Sequence, residues 1–268
     1  MLRRTWTQFA AFAAITVKER LAFNAYFWTE TLGQLVLMII AVHFWRAVYS
    51  ATPMVGGMDR EQAVAYVLVA NSVGMVISWS LIPEFGTMLR TGAIAHELVR
   101  PLDFQFRMFA KMFAMQGATA LLHMLLLGGV ATLFLGLRLP VNPLVWLWFA
   151  LSLVSGFLVL FTFDWLLSIS AFYTTEIRGL YILREGLASF FSGYMVPLAM
   201  LPDWIRHAAE LLPFGQVLNT PVQILTGVTP LGAAPRAVGV QLLWAAVLLA
   251  AGRPALRVAL RSVAVQGG

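Results

Sequence analysis

Apolar residues run in long stretches along this chain, and the polar and charged residues gather in short gaps between them. A helix needs about 20 mostly apolar residues to cross the hydrocarbon core of a bilayer. The uncharged stretches 62–83, 112–137 and 139–163 meet that length. So do 179–201, with Arg184 and Glu185 near its beginning, and 236–256, which ends near Arg253, Arg257 and Arg261. A shorter run, 31–45, lies between Glu30 and Arg46. It extends backwards through Tyr26, Phe27 and Trp28 if Glu30 sits at the interface or faces protein. The pattern predicts an all-α polytopic membrane protein: six transmembrane helices in a single transmembrane domain over residues 1–268.

One further stretch, 211–235, is uncharged and long enough to span. It contains Pro213, Pro221, Pro230 and Pro235 together with Gly215, Gly227 and Gly232, which oppose a regular helix. Charge arbitrates. With six spans and the N-terminus inside, five basic residues fall outside: Arg46, Arg60, Arg138, Arg206 and Arg236. The rest of the 18 Lys and Arg are cytoplasmic. A seventh span would export Arg253, Arg257 and Arg261 and weaken the positive-inside bias. Residues 202–235 are therefore expected to form a broken, re-entrant extracytoplasmic segment before the last span, with both termini cytoplasmic. The segment before span one, "MLRRTWTQFAAFAAITVKER", is too short to span and lacks a clean signal-cleavage site. Its apolar residues Trp6, Phe9, Ala13, Val17 and Leu21 fall at helical spacing, so residues 1–24 read as an amphipathic helix at the cytoplasmic interface.

Composition agrees with a bilayer environment. The chain is 60% apolar and only 11% charged, with a mean hydropathy of +0.81. Its net charge of +6 is spread as punctuation between apolar runs rather than gathered on one polar face, so it reads as topology information and not as a nucleic-acid footprint. The absence of cysteine excludes disulfides, thiolate metal sites and a cysteine nucleophile.

One compact charged island interrupts the apolar pattern, "LRTGAIAHELVRPLDFQFRMFAK" from Leu89 to Lys111, within a cytoplasmic loop expected over 84–111. Its "HELVR" begins like a zinc-peptidase helix, but the position that needs the second His carries Arg100. Ser155 and Ser192 lack the first Gly of a G-x-S-G serine motif, and His43 and His123 read as interfacial or packing residues. Lys18 and Lys111 are the only lysines and neither follows Gly, so the chain has no nucleotide-binding loop of its own. No catalytic residue, bound cofactor or metal site is expected. Among polar residues in the spans, Asp164 stands out, because a carboxylate at membrane depth usually faces protein or water. It reads either as a coupling-ion site or as a residue paired within the bundle, and Glu30 has the same two readings. Asn71 in span two either joins helices or lines a path.

This layout resembles the membrane subunit of a type 2 ABC exporter, an ABC-2 type permease, over essentially the whole chain. The local matches are Gly92, Ile94 and the turn Leu98-Val99-Arg100-Pro101 in the charged loop. A second set comprises Pro197, Leu201-Pro202-Asp203-Trp204, Pro213-Phe214 and Pro221 around the broken segment. The resemblance implies an export machine for a hydrophobic or amphipathic substrate in a bacterial-type cytoplasmic membrane. Two permeases, either two copies or this chain with a related one, would form the path through the lipid. Separate ABC ATPase subunits, holding ATP and Mg2+, would dock underneath. A short coupling helix over 89–101, ended by Pro101, would take the push of the ATPase. Arg90, Glu97 and Arg100 would orient the contact, and Ile94 and Leu98 would anchor it. Gly193, Pro197, Pro202, Trp204, Pro213 and Phe214 would shape the outer gate. An ion-coupled transporter using Asp164 and Glu30, or a membrane scaffold that transports nothing, are the competing readings.

Overall fold

A computed structural model describes residues 25–74, 78–101, 103–174 and 177–266; the expected interfacial helix over 1–24 lies outside them. The first helix, α1, covers Ala25–Ala51 and includes the backward extension through Tyr26, Phe27 and Trp28. A two-residue hairpin follows, β1 (Met54–Val55) paired with β2 (Met58–Asp59). Gly56 and Gly57 make its turn with φ of 58° and 76°, the left-handed backbone that such tight hairpins require. Asp59 then starts α2 (Arg60–Val73) through a capping box: it accepts from the Gln62 amide at 2.8 Å, and the Gln62 side chain accepts from the Asp59 amide at 3.1 Å.

Past α2 the chain departs from the expected second span. The stretch 62–83 is not one regular helix: α2 ends at Val73, Trp79–Leu81 is non-helical, and α3 (Ile82–Arg90) begins with Pro83 in its first turn. Pro lacks the amide that a helix interior needs and suits a helix start, which accounts for the new beginning there. Gly92, at φ 71°, separates α3 from α4 (Ala93–Leu98). The expected single helix over 89–101 is therefore two short helices broken at glycine, because a left-handed backbone cannot continue an α-helix.

Asp103 caps α5 (Phe104–Phe134), accepting from the Phe106 amide at 2.9 Å, so this helix starts well before the apolar run at 112 and carries Arg107 and Lys111. Asn142 and Pro143 open α6 (Pro143–Ile169). The next helix, α7 (Ile177–Phe191), stops short of the expected 201, and Gly193 beyond it has φ 80°. The Pro- and Gly-rich stretch forms three short helices, α8 (Asp203–Leu211), α9 (Pro213–Val217) and α10 (Asn219–Thr226). The chain closes with α11 (Ala234–Gln266), which carries Pro254 in its interior.

Among the described residues, four helical stretches are long and apolar enough to cross a membrane: Ala25–Ala51, Phe104–Phe134, Pro143–Phe172 and Leu231–Arg261. α2 and α7, at 14 and 15 residues, rise only about 21 and 22 Å each. Two buried clusters fill the bundle. One, toward the hairpin, gathers Met38, Tyr66, Leu127, Phe149, Leu218 and Val222. The other, toward α3 and α4, gathers Leu81, Phe85, Phe104, Met108, Phe161 and Trp165. α6 is central, packed along α11 and covered by α9 and α10. Gly156 permits that cover, since a Cβ there would lie 2.6 Å from the Val217 carbonyl oxygen.

Candidate functional site

The charged island folds into a braced projection. Glu97 on α4 receives Arg107 of α5 at 3.0 Å, and Arg107 also donates to the Glu97 backbone carbonyl. Arg100 reaches the same carboxylate at 3.3 Å. Lys111 of α5 pairs with Glu84 of α3, and Asp103 faces Arg253 of α11 at 3.6 Å. Ile94 is buried in the cluster beneath, so it fixes α4 to the bundle and is not available to a partner, contrary to its expected part in an exposed anchor. Leu98 is partly exposed and Val99 is 84% exposed, beside exposed Arg90, Gly92, Arg100 and Pro101. The projection thus offers a small apolar tip rimmed by arginines, on two helices whose inner faces are fixed. Exposed single pairs such as Lys111–Glu84 contribute at most about 1 kcal/mol; the half-buried Glu97–Arg107 contact, with its carbonyl bond, holds more.

Beneath the projection lies a buried ion pair. Arg184 of α7 donates from Nε to Asp164 of α6 at 2.8 Å, and both side chains are fully buried. Arg184 also reaches Glu185 at 2.5 Å and the Trp79 carbonyl at 2.6 Å. Asp164 accepts from the Leu81 amide at 3.1 Å. Trp79 and Leu81 belong to the break before α3, so these two charges satisfy backbone groups that the interrupted helix leaves free. Charge at membrane depth is tolerated here because each ion is paired and hydrogen-bonded. Of the two readings of Asp164, the geometry is that of a residue paired within the bundle. Glu30 is half-buried on α1.

At the opposite end, the residues expected at an outer gate divide. Gly193, Pro197, Pro213 and Phe214 are buried, whereas Pro202 is exposed and Trp204 is 75% exposed. The Tyr66 hydroxyl lies 3.1 Å from the Gly193 carbonyl and 2.9 Å from Asn219 Oδ1, tying α2 to the broken segment. Gln34 of α1 donates to Asn71 at 3.0 Å and to the Tyr194 hydroxyl at 2.5 Å, so Asn71 joins helices. Gln241 of α11 donates to the carbonyls of Gln216 at 2.6 Å and Ser152 at 3.1 Å. Phe214 stands edge-on to Phe163 at 4.5 Å. The chain after α7 is thus tied by hydrogen bonds to α1, α2 and α11.

The model of the family described as ABC-2 family transporter protein matches residues 35–267, nearly the whole chain. The chain belongs to that family. Among curated proteins and among solved structures, nothing matches it.

As an ABC-2 family transporter, the chain is a membrane transport component, and the family associates with ABC ATPases. Sequence reasoning about this ABC-2 protein placed Arg184 at a cytoplasmic helix end and so missed the residue that completes the buried pair. The signal was available, since Asp164 and Arg184 are opposite charges inside two neighbouring apolar runs. Tyr66, Gln34 and Gln241 were missed for a different reason: one polar residue per apolar helix has no periodicity to reveal it.

Proposed function

We propose that this chain is the permease subunit of an ATP-driven exporter, moving a hydrophobic or amphipathic substrate out of the cell across a bacterial-type cytoplasmic membrane. In this reading the chain crosses six times, counting α2 with its break and α7 as short crossings between the four long helices. Both termini are cytoplasmic. Two permeases, identical or related, line the path, and separate ATPase chains holding ATP and Mg2+ bind the α3–α4 projection.

The observation that carries the proposal is the projection itself: an exposed tip at Leu98, Val99, Arg100 and Pro101 on helices fastened to α5 through Glu97–Arg107 and Glu84–Lys111. A partner pushing on that tip moves α5 and, through α3, the break held by Asp164 and Arg184. The buried residues Gly193, Pro197, Pro213 and Phe214, with Pro202 and Trp204 on the surface, form the outer closure. An ion-coupled transporter is less well supported, because its best residue, Asp164, is enclosed by Arg184 and the Leu81 amide.

The test is to purify the chain in mild detergent from cells that also make the ATPase. Copurification of an ATP-binding protein, lost with export when Arg90, Glu97 and Arg100 are charge-reversed, is the expected result. Export that persists unchanged in that triple variant sinks the proposal.

A further inference from the structure

α5 and α6 touch at one level and part above it. Phe113 of α5 meets Phe157 of α6 edge-on at 5.4 Å, and Phe109 lies 6.0 Å from the same ring. From this aromatic floor a lateral groove of about 730 Å3 runs between the two helices toward Leu125 and Trp146. Its walls are apolar apart from Gln116 and the Trp146 indole, whose N–H is already given to the Pro140 carbonyl at 2.9 Å. The helix rise from Phe113 to Leu125 is about 18 Å, close to half of the roughly 30 Å hydrocarbon core.

Two further cavities lie beside the groove. A cavity of about 240 Å3 shares Val73, Leu125, Trp146 and Phe149 with it as walls. A third cavity, about 410 Å3, shares Val69, Leu137, Leu139 and Leu225 with the second. The third has a different chemistry. Arg138, Asn142, Thr226 and Thr229 line it, and no carboxylate does. Along the flank of two candidate spans the lining therefore changes from an apolar slot one leaflet deep to a polar mouth with a single positive charge.

An apolar slot open to lipid is filled by hydrocarbon, and a lone arginine in the polar cavity along the same flank favours a negative headgroup. We propose that α5 and α6 hold one anionic membrane lipid, its acyl chain in the groove above Phe113 and Phe157 and its headgroup at Arg138. The site needs only that α5 and α6 lie in the bilayer, and stands whether or not the α3–α4 projection binds an ATPase.

Trp146 on the groove wall supplies the readout. The full chain in detergent is titrated with phosphatidylglycerol carrying a brominated acyl chain, a quencher of nearby indoles. The Trp146 signal is isolated as the difference from Trp146→Phe. The expected result is saturable quenching of Trp146, with affinity about fivefold weaker in Arg138→Gln. Gly117→Leu should abolish it, because nothing lies within 4 Å of a Cβ at Gly117 and the added side chain enters open groove. Should that variant fail to fold, Arg138→Gln, an exposed loop substitution, still decides the question. Quenching that never saturates, that brominated phosphatidylcholine reproduces equally, or that Arg138→Gln leaves unchanged overturns the proposal. So does a groove closed by self-association, seen as quenching that appears only when the chain is diluted to a monomer.

Discussion

Arg184 and Asp164 meet at 2.8 Å with no exposure of either side chain, and together they hold both ends of the backbone break before α3. The pair joins three parts of the bundle: α6 through Asp164, α7 through Arg184, and the break before α3 through Trp79 and Leu81. Removing one ion leaves the other buried without its partner, which costs more than the pair itself contributes. Asp164→Ala should lower stability by about 3–5 kcal/mol, and the double change Asp164→Leu with Arg184→Met should recover most of that loss. Thermal unfolding in detergent measures both. A double variant no better than the single one would mean that the bonds to Trp79 and Leu81, and not the ion pair, hold the break.

A second prediction concerns contact between α6 and α9. Gly156→Ala places a methyl group against the Val217 backbone and should cost about 1–3 kcal/mol through displacement of α9. Gly117→Ala, on the open side of α5, has no such neighbour and should gain roughly 0.5–1 kcal/mol from reduced backbone entropy in the unfolded chain. Equal effects in the two variants would contradict the packing described for α9.

The two braces of the projection should be unequal. Lys111→Ala removes an exposed pair and should change stability by no more than about 1 kcal/mol. Arg107→Ala removes a half-buried, charge-assisted contact to both the carboxylate and the carbonyl of Glu97, worth about 1.5–3 kcal/mol. Limited proteolysis between Gly92 and Pro101 reports on the freed α4, and cleavage should rise sharply in Arg107→Ala alone.

Much of this organisation was legible from the pattern of residues, and its failures have physical causes. The long apolar runs on either side of Arg138 became α5 and α6, because at that length hydrophobicity alone dictates a buried or lipid-facing helix. Pro213 stands at the start of α9 and Pro230 just before the turn into α11, since a missing amide acts locally and suits such positions. Hydropathy could not see the break at Trp79–Leu81, where the residues are apolar enough to continue a span. The break exists because Asp164 and Arg184, distant in sequence, satisfy its backbone. Likewise Gly92 was visible as a glycine, but its left-handed φ of 71° and the split of the coupling helix were not.

Sidedness follows from the six-crossing reading and is directly measurable. The chain contains no cysteine, so a single introduced thiol reports its own location. A membrane-impermeant thiol reagent added to intact cells should label Trp204→Cys and not Arg90→Cys; the reverse pattern would invert the topology.

The same absence of cysteine permits the most direct test of the central claim, that the α3–α4 tip receives the ATPase. Val99→Cys is introduced as the sole thiol of the chain, and crosslinking with a short bifunctional thiol reagent is carried out in membranes that contain ATPase variants with single surface cysteines. The account predicts a permease–ATPase adduct at Val99 that Trp204→Cys, at the other end of the molecule, does not form, and an adduct yield that changes when ATP and Mg2+ are added. Membranes in which the ATPase crosslinks elsewhere on the chain, and never at Val99, would contradict it.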